Sequence, residues 1–154
     1  MRQSVKNLLK SPSAEPAVEV CGWVRTRRDS KEFSFIEIND GSSLQGIQAI
    51  IDQGIPGSEL VSKITTGSSV RVLGELVESP GRGQSWEVRA TEVELVGKAP
   101  DDFPLQKKGH SPEFLRSIAH LRPRTNLYGA VFRMRSRLSY AVHRFFNERD
   151  FVHI

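Results

Sequence analysis

The sequence has little that would cross-link it, anchor it in a membrane or hold a metal. It has 154 residues and one cysteine, Cys21, which excludes an internal disulfide and indicates a reducing compartment. No apolar run reaches the roughly 18 residues of a membrane-spanning helix, and the N-terminus lacks the apolar stretch of a signal peptide. The four histidines and the cysteine lack zinc-ligand spacing. We therefore expect a cytoplasmic protein with no membrane partner and no bound metal.

Positive charge is concentrated in the last third of the chain. Residues 1–100 hold 12 lysines and arginines against 13 acidic residues, whereas residues 101–154 hold 10 against 5. Arginine outnumbers lysine by 15 to 7, and its guanidinium suits bidentate phosphate contacts and stacking on bases. The composition points weakly to a nucleic acid partner, because a solvated basic surface has the same composition.

Five short segments alternate apolar and polar residues, as strands with one buried face do. The predicted strands are 18–25, 33–39, 46–52, 69–77 and 86–96. Turn sequences separate them, and Ser58 to Ile64 reads as a short helix that Ser58 caps. One helix between the third and fourth strands predicts an OB-fold, a five-stranded barrel that binds oligonucleotides. SH3-like barrels and other small β domains have the same strand count and are the alternative.

The last third of the chain is predicted to be helical. Ser111 is a candidate N-cap for a short helix that ends at Ala119. Thr125 caps a long helix to about Arg149, because apolar residues recur there at helical spacing. Those residues are Leu127, Val131, Met134, Leu138, Val142 and Phe145. The final residues, 151–154, are predicted to form a strand for which the sequence supplies no sheet.

The second predicted strand carries an aromatic side chain on its polar face. Ile36 and Ile38 share one parity and should point into the barrel, which leaves Phe35 on the other face. An aromatic there is a stacking platform for a nucleic acid base. A shift of one residue would reverse the faces, so packing of Phe35 under a loop is the alternative.

Polar side chains surround this aromatic position. A basic cluster at the end of the first strand and in the next loop consists of Arg25, Arg27, Arg28 and Lys31. In an OB-fold that loop borders the binding face, although a solvated loop is the commoner reading of such a cluster. Gln48 and Glu87 fall on outward positions, where an amide and a carboxylate can bond to base edges. An ordinary polar surface is the alternative for both, and no nucleophile–base pair predicts a catalytic site.

Two stretches at the start of the predicted barrel resemble one enzyme family. Residues 21–30 read Cys-Gly-Trp-Val-Arg-Thr-Arg-Arg-Asp-Ser, and residues 33–42 read Phe-Ser-Phe-Ile-Glu-Ile-Asn-Asp-Gly-Ser. Both resemble the anticodon-binding OB domain of the aspartyl, asparaginyl and lysyl group of class II aminoacyl-tRNA synthetases. Residues 111–116 and 119–126 are similar to the hinge of asparaginyl-tRNA synthetases specifically.

The resemblance covers essentially the whole chain and implies three parts. These are an OB-fold anticodon-binding domain at 1–97, a linker and hinge at 98–124, and the start of a class II catalytic domain at 125–154. It implies that Phe35 stacks on an anticodon base, that Gln48 reads the central uridine, and that Glu87 and Arg28 also contact the anticodon. Candidate tRNA backbone contacts are Arg25, Arg27, Lys31 and Arg82.

The same resemblance describes what lies outside the barrel. The last helix and strand would begin motif 1, which forms the family's homodimer interface, although Asp150 stands where the family has glycine. Motifs 2 and 3, which bind ATP, Mg²⁺ and the amino acid, are absent. The intact protein is therefore expected to be an asparagine–tRNA ligase that uses ATP and Mg²⁺, and this segment alone to be inactive. The alternatives are a stand-alone tRNA-binding or regulatory module and a generic OB domain that binds proteins.

Overall fold

The computed structural model describes residues 2–81 and 83–154, in two compact units, Met1–Gly109 and His110–Ile154. The first unit contains a short helix, α1, and five strands. Their bounds are α1 Val5–Leu8, β1 Glu15–Asp29, β2 Phe33–Asn39, β3 Ile47–Asp52, β4 Ser69–Glu78 and β5 Trp86–Gly97. All five predicted strands are present, β2 at its predicted bounds and β1 longer at both ends.

The strands close into a barrel in the order β1-β2-β3-β5-β4. Neighbours are antiparallel except β3 and β5, which are parallel. β1 pairs with β4 through its first half and with β2 through its second half, and its register on β2 shifts between Val24 and Thr26. The extra residue of such a bulge bends a strand, so β1 can pair with both β4 and β2. The OB-fold predicted from the sequence is confirmed.

A 3₁₀ helix at Ser58–Lys63 connects β3 to β4. The prediction that Ser58 caps it is wrong, because the cap position is Gly57 and the Ser58 hydroxyl instead accepts the Gly54 N–H at 3.1 Å. Val61 and Ile64 are 5% and 1% exposed. The apolar face of this segment therefore seals the barrel as its sequence pattern indicates.

One apolar cluster fills the barrel and includes α1. Ile36 and Ile38 are fully buried, as their parity predicts. Val5 and Leu8 are also fully buried in the same cluster. Sequence analysis missed α1, whose only signals are a serine cap and two apolar residues three positions apart. The N-terminal residues are therefore part of the folded core.

The loop after β2 holds the first turn of α1. Asp40 Oδ2 accepts the Val5 N–H at 3.0 Å, and Oδ1 accepts from the Ser42 hydroxyl at 2.6 Å and the Ser42 N–H at 2.9 Å. Burial raises the pKa of Asp40, but the hydrogen bonds from Ser42 and Val5 favour the ionised form and outweigh it. The net result is a pKa below the ordinary value of an aspartate.

Replacing Asp40 with asparagine should therefore reduce stability in a pH-dependent way. A depressed pKa stabilises the fold above the unfolded value of about 4, and this contribution is lost as the pH falls through the folded value. We expect a loss of about 1 kcal/mol at neutral pH, the scale of an N-cap interaction, and less at acid pH. Urea unfolding at both pH values measures this. The exposed Asp102→Asn is the control, and an equal loss at both pH values would contradict the prediction.

The second unit begins with α2 (Pro112–Ser117) and a 3₁₀ turn at Arg122–Arg124. The Ser111 hydroxyl accepts the Phe114 N–H at 3.2 Å, so the predicted N-cap is confirmed. The helix ends two residues before the predicted Ala119, since Ile118 leaves helical backbone geometry.

The long helix α3 spans Asn126–Asn147, and Thr125 caps it as predicted. The helix ends two residues before the predicted Arg149. After it, Asp150 adopts a left-handed φ of 63°, and the Phe151 N–H donates to the Phe146 carbonyl at 3.2 Å. Glycine adopts this conformation most easily.

Across residues 2–81 and 83–154, no helix is long and apolar enough to cross a membrane.

The predicted strand at 151–154 is wrong, because these residues have no regular secondary structure. A strand needs a neighbour for its backbone N–H and C=O groups. In the described part of the chain, the five strands of the first unit pair with one another in a closed barrel. The apolar character of residues 151–154 is therefore not sufficient to make them a strand.

A candidate nucleic-acid interface on the barrel

Two neighbouring rows of side chains cross the outer face of β1, β2, β3 and β5. Strand pairing aligns Thr26, Glu37, Gln48 and Glu87 in the first row. It aligns Arg28, Phe35, Ile50 and Arg89 in the second. The topology thus brings the four predicted anticodon contacts, which come from four different strands, into adjacent positions.

Arg28 is in contact with two of the other predicted residues. Its guanidinium carbon lies 5.8 Å from the centroid of the Phe35 ring, within the range of a cation–π contact. Its Nη2 donates to Gln48 Oε1 at 3.4 Å. Phe33 packs edge-on against Phe35 with 4.9 Å between ring centroids. The half-buried Phe35 ring is therefore held on the outer face, where a base can reach it.

Glu87 differs from the sequence expectation in its burial. It is 5% exposed, although its neighbours Trp86 and Val88 occupy the inward parity. The Ser79 hydroxyl donates to Glu87 Oε2 at 2.9 Å, and Gln84 Nε2 donates to the same oxygen at 3.2 Å. An ordinary surface carboxylate, which was the alternative, does not fit this environment.

Arg27 has a different position from Arg28, because strand alternation turns it to the other face. Its Nη1 donates to the carbonyls of Val61, Ser62 and Ile64 at 2.8, 2.9 and 2.7 Å. Its Nη2 forms an ion pair with Asp29 at 3.1 Å. The guanidinium therefore fastens the end of the 3₁₀ helix to β1.

The other predicted contacts with the tRNA backbone are Arg25, Lys31 and Arg82. Arg25 lies in β1 at the bulge, within the strand as predicted. Lys31 is exposed in the loop before β2. Arg82 lies outside the described residues. Contacts of these side chains with a tRNA backbone stay predictions.

Sequence analysis did not predict several residues on or beside this face, among them Ser79, Gln84 and Ile50. Ser79 and Gln84 bond to Glu87 across the β4–β5 hairpin, and Ile50 lies beside Phe35 in its row. The position of Ile50 could be read from the alternation of β3, which turns it outward with Gln48. The contacts of Ser79 and Gln84 depend on how the hairpin loop folds, for which the sequence gives only turn residues.

A model of the OB-fold nucleic acid binding domain matches residues 18–96, just over half of the chain. The chain belongs to this family. It is 54% identical over 154 residues to the asparagine–tRNA ligase of Nitratidesulfovibrio vulgaris, and 55% identical over 156 residues to that of Desulfotalea psychrophila. These matches cover 99% and 100% of this chain but 33% and 35% of the relatives. The chain thus spans about a third of their length, and the resemblance to asparaginyl-tRNA synthetases is confirmed.

Solved structures agree on the fold of this OB-domain chain. Asparaginyl-tRNA synthetase from Pyrococcus horikoshii superposes with a TM-score of 0.83 at 22% identity, over 97% of this chain and 35% of that one. Aspartyl tRNA synthetase from Entamoeba histolytica gives 0.83 at 18% identity, over 100% of this chain and 38% of that one. At these identities the likeness shows the fold alone.

Proposed function

We propose that this chain is the anticodon-recognition part of an asparagine–tRNA ligase, and that the outer face of β1, β2, β3 and β5 binds the anticodon loop. One observation carries the proposal: the barrel gathers Arg28, Phe35, Gln48 and Glu87 in two adjacent rows. A cation, an aromatic ring, an amide and a carboxylate are the groups that stack on unpaired RNA bases and read their edges. The matched ligases supply the identity of the tRNA.

Each of the four residues has a separate role in this proposal. Phe35 stacks on one anticodon base, while the Gln48 amide donates to and accepts from the central uridine. Glu87 accepts hydrogen bonds from base N–H groups, and Arg28 supports the stacked base beside the ring. Arg25, Lys31 and Arg82 contact the RNA backbone, whereas Arg27 supports the 3₁₀ helix that it already binds.

The ligase reaction is proposed for the whole protein. The division into 1–97, 98–124 and 125–154 belongs to this proposal, as does the cytoplasmic location. In residues 2–81 and 83–154, no group of three or more His, Cys, Asp or Glu could hold a metal ion. ATP and Mg²⁺ are proposed for the intact ligase. Aminoacylation by this chain alone is the result that would contradict the assignment.

A homodimer of the intact protein is proposed on the exposed apolar side of α3. Leu127, Met134 and Leu138 are 61%, 66% and 60% exposed. The apolar side of a helix normally packs against other apolar residues. A second copy of the protein would cover the apolar side of α3, as the class II resemblance implies. Sedimentation velocity of the intact protein tests this proposal, and a monomer at micromolar concentration would contradict it.

Anticodon binding is tested by replacing Phe35 with alanine and measuring RNA affinity by fluorescence anisotropy. The cognate hairpin carries the anticodon loop of an asparagine tRNA, and the substituted hairpin has its three anticodon bases changed to adenosine. The unmodified chain should prefer the cognate hairpin. Phe35→Ala should weaken binding of both hairpins by about 5- to 150-fold, since base stacking contributes about 1–3 kcal/mol and tolerates any base.

The matched control is Phe114→Ala, which removes an exposed phenylalanine from the second unit and should leave both affinities unchanged. Equal affinity of the unmodified chain for the two hairpins would contradict anticodon recognition. An unchanged affinity in F35A would contradict the stacking role alone.

A further inference from the structure

Glu87 is tied to the β4–β5 hairpin loop through a single carboxylate oxygen. Both hydrogen bonds that Glu87 accepts within the described residues end on Oε2, from Ser79 Oγ at 2.9 Å and Gln84 Nε2 at 3.2 Å. Ser79 and Gln84 also bond to each other, since Gln84 Nε2 donates to Ser79 Oγ at 2.9 Å. The three side chains form a closed triangle.

The hairpin backbone holds this triangle in place. The Gly81 N–H donates to Ser79 Oγ at 3.2 Å, and the Ser79 N–H donates to the Ser85 carbonyl at 3.0 Å. The hydroxyl of Ser79 therefore accepts two hydrogen bonds and uses its only proton for Glu87. This arrangement leaves Ser79 one role, which is to donate to the carboxylate.

The other oxygen of Glu87 remains available for a ligand. Glu87 Oε1 accepts no hydrogen bond from the described residues, since both bonds to this carboxylate end on Oε2. Glu87 is also the cross-strand neighbour of Gln48. The carboxylate with this unbonded oxygen therefore belongs to the residue next to the one whose amide is proposed to read a base.

We propose that Ser79 and Gln84 are positioning residues that hold Glu87 Oε2 and thereby present Oε1 to an N–H group of an anticodon base. This inference rests on the proposed function. Binding a base edge with a carboxylate that is already fixed avoids the loss of rotamer freedom on binding. The side chains of Ser79 and Gln84 do not touch RNA in this arrangement, so they contribute to discrimination between bases and not to stacking.

The test replaces Ser79 and Gln84 separately with alanine and measures affinity for the cognate and substituted hairpins. We expect about tenfold weaker binding of the cognate hairpin, the scale of one hydrogen bond to a charged group. Binding of the substituted hairpin should not change. Ser79→Thr keeps the hydroxyl and should restore cognate affinity. In the Glu87→Gln background, Ser79→Ala should have no additional effect on discrimination, since residues of one network are not additive.

A second glutamate that accepts from a serine and a glutamine provides the controls. The Ser11 hydroxyl donates to Glu15 Oε1 at 3.0 Å and Gln3 Nε2 donates to Glu15 Oε2 at 2.6 Å, outside the two rows. Ser11→Ala and Gln3→Ala should therefore leave both affinities unchanged. Thermal unfolding of each variant separates lost stability from lost discrimination.

The outcomes distinguish this inference from the function on which it rests. If the unmodified chain discriminates between the hairpins and S79A and Q84A discriminate equally well, the positioning role is wrong and anticodon binding stands. If S79A weakens both hairpins alike, the effect is on the fold of the hairpin loop and the positioning role is also wrong. If the unmodified chain does not discriminate, both proposals fail.

Discussion

Replacing Leu8 with alanine is expected to lower the free energy of unfolding of the barrel by about 2–5 kcal/mol, the range for leucine truncations in a packed core. Leu8 is fully buried in the cluster that fills the barrel, together with Val5. Its removal leaves a cavity that α1 cannot close without moving. The first turn of α1 is bonded to Asp40 and Ser42, so such a movement would also break those contacts.

Urea unfolding, followed by tryptophan fluorescence, measures the effect of L8A, because the core includes Trp86. Leu44→Ala is the matched control, since Leu44 is 42% exposed and its truncation leaves no cavity. The two substitutions remove the same atoms, so the difference between them reports burial. A loss in L8A no larger than in L44A would show that α1 packs on the barrel only weakly in solution.

The example of Leu8 shows where sequence patterns stop being informative. Alternation over seven residues predicts β2 and puts Phe35 and Ile36 on opposite faces, without knowledge of the neighbouring strands. α1 has four residues, fewer than two helical turns, and a pattern that short occurs in loops as well. Its burial depends on where the loop with Asp40 lies after the barrel has closed, which no local period records.

The candidate site shows the same division between local and long-range information. Phe35 and Gln48 could be placed on the outer face from alternation alone, and the structure brings both into contact with Arg28. Arg27 and Arg28 read from sequence as one basic cluster because they are adjacent, whereas β1 continues to Asp29 and includes both. In the folded chain they point to opposite faces, and only Arg28 lies on the candidate interface.

The burial of Glu87 could not be read from its own strand. A polar residue at an outward position is normally solvated, and its cover comes from Ser79 and Gln84 in a loop of glycine and polar residues. Hydrogen bonds from two neutral donors make this burial tolerable for a carboxylate. The feature of the site that departs most from the sequence expectation is therefore also the one from which a new role can be inferred.

Replacing Gly57 with alanine is expected to destabilise the barrel by about 2–6 kcal/mol. Gly57 has a φ of 84°, in the left-handed region, and a Cβ there would overlap the Val93 carbonyl oxygen. A left-handed backbone at a residue other than glycine costs about 1–3 kcal/mol, and overpacking adds about 1–3 kcal/mol. The contact cannot relax easily, because the Val93 N–H donates to the Pro56 carbonyl at 3.0 Å and holds the two segments together.

Gly54→Ala provides a control that separates the two causes. Gly54 has a similar φ of 88°, but a Cβ there would meet no atom within 4 Å. Gly54→Ala should therefore lower the free energy of unfolding only by the backbone cost of about 1–3 kcal/mol. Urea unfolding of both variants gives the cost of the contact with β5 as their difference. Equal losses would mean that β5 yields to the methyl group. A larger loss in G57A would show that this close approach anchors the 3₁₀ helix, whose end Arg27 binds and whose apolar residues seal the barrel.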